Sequence, residues 1–151
     1  MGRNGAGDFS TAATRAMRAI LADQNVEGHV AALVRILQRE PWREFWAGLN
    51  LSVFTFADLG LLRNVADSIL WHACQQQGVI LITSNRNTRG PESLEATITA
   101  HNQPESLPVF TLADAERLMS DRAYAERVAE ALLEYLFKID NLRGAGRLYL
   151  P

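Results

Sequence analysis

Val79-Ile80-Leu81-Ile82-Thr83 is the stretch that decides the fold. It is five residues long, apolar and β-branched, with Gly78 before it and Ser84-Asn85 after it. A run this short with no polar face predicts a strand covered on both sides, as in a parallel sheet. Working back from it, Ala66, Ile69, Leu70 and Ala73 share one face of a helix predicted to begin at Asn64 and to stop at Gly78. Leu51 to Phe56 reads as a second strand. The aromatic segment Pro41 to Asn50, with Trp42, Phe45 and Trp46, reads as an apolar connection or short helix. Met17 to Ala22 reads as the first strand, ending at Asp23. Asn25 is expected to cap a helix with Val30, Leu33, Val34 and Leu37 on one face, and Pro41 marks its end.

Beyond the deciding stretch, Pro91 suits the first turn of a helix reaching about His101. Leu107 to Leu112 is a fourth strand. Thr111 and Asp114 have capping-box spacing for a short helix, and Ser120 is placed to cap the last long one. There Tyr124, Val128, Ala131, Leu132, Tyr135 and Ile139 keep helical spacing. The end, from Arg143 to Pro151, is a glycine turn followed by a short extended tail. The order β-α-β-α-β-α-β-α predicts an α/β fold: a mostly parallel sheet of about four strands between helices, joined by right-handed crossovers. Ligand sites in such sheets lie beyond the carboxyl ends of the strands. That rule selects Asp23, Gln24 and Asn25 after the first strand and Ser84, Asn85, Arg86 and Asn87 after the third.

The chain has 151 residues and a net charge of −2. One domain is expected over 17–151, preceded by a flexible tail over 1–16. The weak acidity argues against a cationic, non-specific nucleic-acid coat, though a local basic patch fits. Of 15 Lys+Arg, only Lys138 is lysine. The single Cys74 excludes an internal disulfide and a cysteine-based zinc site, and a cytoplasmic location is expected. No apolar run approaches membrane-spanning length. The opening Met-Gly lacks the Ser or Thr of a myristoylation signal, because Ala6 stands in that place.

Three strings carry a family likeness: Ile20-Leu21-Ala22-Asp23-Gln24-Asn25, Leu59-Gly60-Leu61 with Ala66-Asp67-Ser68-Ile69-Leu70, and Val79-Ile80-Leu81-Ile82-Thr83-Ser84-Asn85-Arg86-Asn87. In order and spacing they resemble the PIN-like family, in particular its compact bacterial DUF5615-like branch of presumed toxin-type nucleases. The resemblance covers about residues 17 to 118. It implies a small three-layer fold and a Mg²⁺- or Mn²⁺-dependent ribonuclease, with RNA as substrate and an antitoxin-like protein as partner. It assigns Asp23 and Asp67 as the first two metal-binding, catalytic carboxylates. The family usually has Asp-x-Asp where this chain has Asn85-Arg86-Asn87, and Glu is common where Gln24 stands. Asparagine offers an oxygen but no charge, so a weaker metal site is implied. Glu92 and Glu95 follow and could substitute. Asn25, Asn85 and Asn87, with Arg86 and Arg89 as a phosphate clamp, complete the expected substrate contacts.

Each of these residues also has a plain structural use. Asp67 could be the N3 acid of a helix capped by Asn64, Asp23 a turn residue, and Asn85 and Asn87 turn formers. His29, His72 and His101 have no paired spacing for a metal. Cys74 reads as a small buried residue. Arg143-Gly144-Ala145-Gly146-Arg147 lacks the ending of a nucleotide loop, and no Gly-x-Ser-x-Gly elbow is present. Three functional expectations stand: a metal-dependent ribonuclease, a PIN-like module binding nucleic acid or protein without catalysis, and an interaction protein. In the last, Trp42, Trp46 and the Tyr149-Leu150 tail would feed a homodimer contact.

Overall fold

The computed structural model describes residues 16–84 and 93–151. Its strands are β1 (Ala19–Ala22), β2 (Ser52–Phe54), β3 (Val79–Thr83), β4 (Val109–Leu112) and β5 (Arg147–Leu150). Its helices are α1 (Glu27–Leu37), α2 (Arg43–Leu49), α3 (Asp67–Gln77), α4 (Leu94–His101), α5 (Ala115–Ser120), α6 (Arg122–Phe137) and α7 (Ile139–Leu142). Short 3-10 turns occupy Gln24–Val26 and Ala57–Leu59. The strands form one sheet in the order β2-β1-β3-β4-β5, and every pairing is parallel. This is the expected three-layer α/β architecture, with five strands in place of about four. The extended tail is the fifth: Arg147 to Leu150 pairs with Val109 to Leu112, and Leu150 is buried. Of the expected flexible tail, residues 1–15 lie outside the described residues.

Alternation along the strands divides the core in two. Ile20, Ala22, Ile80, Ile82, Phe110, Leu112 and Leu150 point to one face and pack with α1, α5 and α6. Ala19, Leu21, Val79, Leu81 and Val109 point to the other, under α3 and α4. β1 and β3 are buried along their whole length, which is why neither shows a polar face in the sequence. Trp46 and Leu150 belong to the first core, and Trp42 packs against it. Of the four residues considered for a dimer contact, Trp46 and Leu150 therefore belong to the interior and Trp42 packs on it.

The crossovers do not share one hand. α1 and α6 pack along each other on the same face, yet the β1-to-β2 and β4-to-β5 steps run in opposite directions across the sheet. Two crossovers over one face that step oppositely have opposite hands. The β2-to-β3 and β3-to-β4 steps, carried over the other face, agree in hand with β1-to-β2. The last crossover differs in hand from the other three, so the single hand expected from the alternation does not hold throughout.

Helix starts differ from the sequence reading in a consistent way. Asp23, not Asn25, caps the turn after β1: its Oδ1 accepts the Gln24 N–H. Asn64 does not open α3. It lies in a turn closed by Val65 N–H to Leu62 O at 3.2 Å, and the helix begins at Asp67 after an extended Ala66. Asp114 alone caps α5, because Thr111 is a buried strand residue. Asp121 caps α6 through the Tyr124 N–H, while Ser120 ends the helix before it. That hydrogen bond, and next the one from Arg117, hold the Asp121 carboxyl below its ordinary range. Gly78 ends α3 as expected, in the left-handed region at φ 71°. Gly144 makes the expected turn at φ 88°, where a side chain would meet the Pro104 carbonyl at 2.9 Å.

Candidate functional site

Asp23 leaves β1 still in register with the sheet, its N–H donating to the Ile82 carbonyl at 2.9 Å. Both carboxylate oxygens are held. Oδ1 accepts the Gln24 N–H at 2.8 Å, and Oδ2 accepts the Thr83 hydroxyl at 2.9 Å. Each oxygen retains capacity for a further ligand. The Asn25 amide donates to Ser84 Oγ at 3.0 Å. The Thr83 and Ser84 bonds join the carboxyl ends of β1 and β3. In a 2-1-3-4-5 sheet the connections leave in opposite directions between these two strands, which opens a crevice there.

Asp67 reaches the same place from α3. As an acid in the first helical turn it sits favourably at the positive end of the helix dipole. Asp23, Asn25 and Asp67 line one pocket of about 210 Å³, together with Gln24, Phe56 and Arg63. The structure thus brings three of the expected site residues together. Asn85, Arg86, Asn87, Arg89 and Glu92 lie outside the described residues. Glu95 does not line the pocket; it pairs with Arg147 at 3.2 Å. Among the described residues no group of three or more His, Cys, Asp or Glu is placed to hold a metal ion.

Two neighbours were not singled out from sequence. Thr83 is the one hydroxyl in an otherwise aliphatic strand, and that oddity was the available signal. Arg63 gave none, being one arginine in an exposed turn. It forms a two-point ion pair with Glu27, Nη1 to Oε2 at 3.0 Å and Nη2 to Oε1 at 2.9 Å.

The polar edge continues across the sheet. Thr83 pairs in register with Thr111, whose hydroxyl accepts from Arg147 Nη1 at 2.6 Å. Beneath the pocket, Cys74 is buried as expected. Burial, and next the charge of Asp23, push its thiol up to about 12. His72 and His101, unpaired in spacing, meet in space with ring centroids 4.8 Å apart. No helix among the described residues is long and apolar enough to cross a membrane. Compared with protein-family models, with curated proteins and with solved structures, the chain finds no match.

Proposed function

We propose that this chain is a PIN-like, metal-dependent ribonuclease with a reduced acidic site, working at the Asp23–Asp67 pocket. One observation carries the reading: two carboxylates from distant elements wall a single pocket at the switch point of a parallel sheet. Mg²⁺ is commonly held by one or two carboxylates plus phosphate oxygens and waters, so this donor set fits the ion. When bound, Mg²⁺ or Mn²⁺ supplies a water of lowered pKa and steadies the phosphate. The chain's own part is orientation. The Gln24 N–H and the Thr83 hydroxyl fix the Asp23 carboxylate, and Asn25 is tied to Ser84. Asp67 faces the pocket from a separate helix, and Arg63 adds a cation for the phosphate.

The test is cleavage of single-stranded RNA with Mg²⁺ or Mn²⁺ by the wild type, Asp23→Ala and Asp67→Ala. Cleavage by the wild type that falls at least about 100-fold in each variant is the expected result. No cleavage by the wild type defeats the nuclease reading. Equal cleavage by all three proteins points to a contaminant. A second reading, binding without catalysis, is favoured by Arg63, Gln24 and Asn25 lining the same pocket, since cations and amides engage phosphate without a metal.

A further inference from the structure

The acid pocket adjoins a larger hollow of about 600 Å³. Gln24, Phe56 and Arg63 belong to both, so Arg63 stands where the two meet. The hollow has an apolar side made by Leu61 and Leu62 and polar groups from Gln24, Thr55 and Asn64. Leu62 is 76% exposed, an uncovered aliphatic surface beside hydrogen-bonding amides. That mixture suits the flat, partly polar body of a nucleobase better than a second phosphate.

The Arg63–Glu27 pair is the other half of the observation. Both partners are well exposed, at 61% and 42%, and an exposed ion pair is weakly held. Its geometry is a two-point fork, the same geometry by which a guanidinium grips two phosphate oxygens. Glu27 also lies in the first turn of α1, where its charge is stabilised without Arg63. The guanidinium can therefore be exchanged from carboxylate to phosphate at small cost.

We propose that Arg63 binds a phosphodiester of single-stranded RNA beside the acid pocket, that the flanking nucleotide occupies the hollow, and that Glu27 competes with the RNA for Arg63. This rests on the reading that the chain acts on RNA, and it names the groups that hold the substrate. The binding step forms an ion pair with phosphate and breaks the one with Glu27; no covalent bond changes.

The experiment is fluorescence anisotropy of a labelled single-stranded oligoribonucleotide with the full chain in EDTA, where metal-dependent cleavage cannot interfere. Arg63→Ala is expected to weaken binding about tenfold and to flatten the salt dependence by roughly 0.7 in log–log slope, one phosphate contact's worth. Glu27→Gln is expected to tighten binding several-fold, and the double variant to behave as Arg63→Ala. Glu40→Gln removes the same charge from a pair with Arg43 at the other end of α1 and is expected to change nothing. Thermal midpoints check that each variant folds. Unchanged binding by Arg63→Ala, equal tightening by Glu40→Gln, or no binding by the wild type overturns the proposal. Arg63-dependent binding without cleavage in Mn²⁺ keeps it and removes the nuclease reading. Cleavage with a KM indifferent to Arg63 does the reverse.

Discussion

The two faces of the sheet are built to different ends. The face under α1, α5 and α6 is apolar along every strand that it uses, from Ile20 and Ile80 to Phe110 and Leu150. The face under α3 and α4 has the smaller core, and it turns polar toward the carboxyl edge, at Asp23, Thr83 and Thr111, the last reached by the Arg147 guanidinium from the amino end of β5. Both faces come from the same strands, one residue out of phase. The difference teaches that one face supplies cohesion while the other gives up apolar area to hold polar groups in register.

The contrast can be broken most forcefully from the apolar side. Phe110 is fully buried and meets the Tyr135 ring at 5.6 Å. Phe110→Ala should cost about 3–5 kcal/mol in denaturant unfolding. A loss below about 1 kcal/mol would mean that this face is not the cohesive one.

On the other face, Thr83→Val should cost about 1.5–3 kcal/mol, the net worth of a hydrogen bond to a charged group. It should also act on the pocket, because Asp23 Oδ2 loses the hydroxyl that holds it. On the proposed ribonuclease reading, RNA cleavage should drop about tenfold, the equivalent of ~1.4 kcal/mol in the barrier. Stability and cleavage falling together in Phe110→Ala but separately in Thr83→Val would sharpen the division.

The smallest effect concerns His72 on the outer side of α3. Burial, and next the charge of His101, hold its imidazole below the ordinary value of 6.5. A base lowered by folding binds protons more readily in the unfolded chain. Stability is therefore untouched above pH 6.5 and declines as pH falls through that value. His72→Gln should slightly flatten the fall in thermal midpoint between about pH 7 and pH 5. An identical slope in the variant would mean that His101 and solvent do not act on it as described.

Much of this was legible before folding. β3 and β1 announced themselves because burial on both faces forbids polar residues, and the strand-end rule then pointed to Asp23. β5 was missed for the converse reason. Its first residue is an arginine whose burial depends on Thr111 and Glu95, partners that only the folded sheet supplies. Helix caps were misplaced by one to three residues. Asn25, Asn64 and Ser120 have the chemistry of a cap, as do Asp23 and Asp121, and local sequence does not say which backbone is extended at that point. Asp67, marked only by the family resemblance, lines the same pocket as Asp23, whereas Arg63 had no periodicity or motif to mark it.

The position of β1 has a consequence in time. It is the first strand described, yet it lies inside the sheet between β2 and β3, and Ala19 must await Val79, roughly 60 residues later. At about 5–20 residues per second of synthesis, that is roughly 3–12 s. For those seconds the apolar Ala19-Ile20-Leu21-Ala22 segment lacks its β3 neighbour. During translation, a chaperone covering this segment would shield apolar backbone that β3 later pairs.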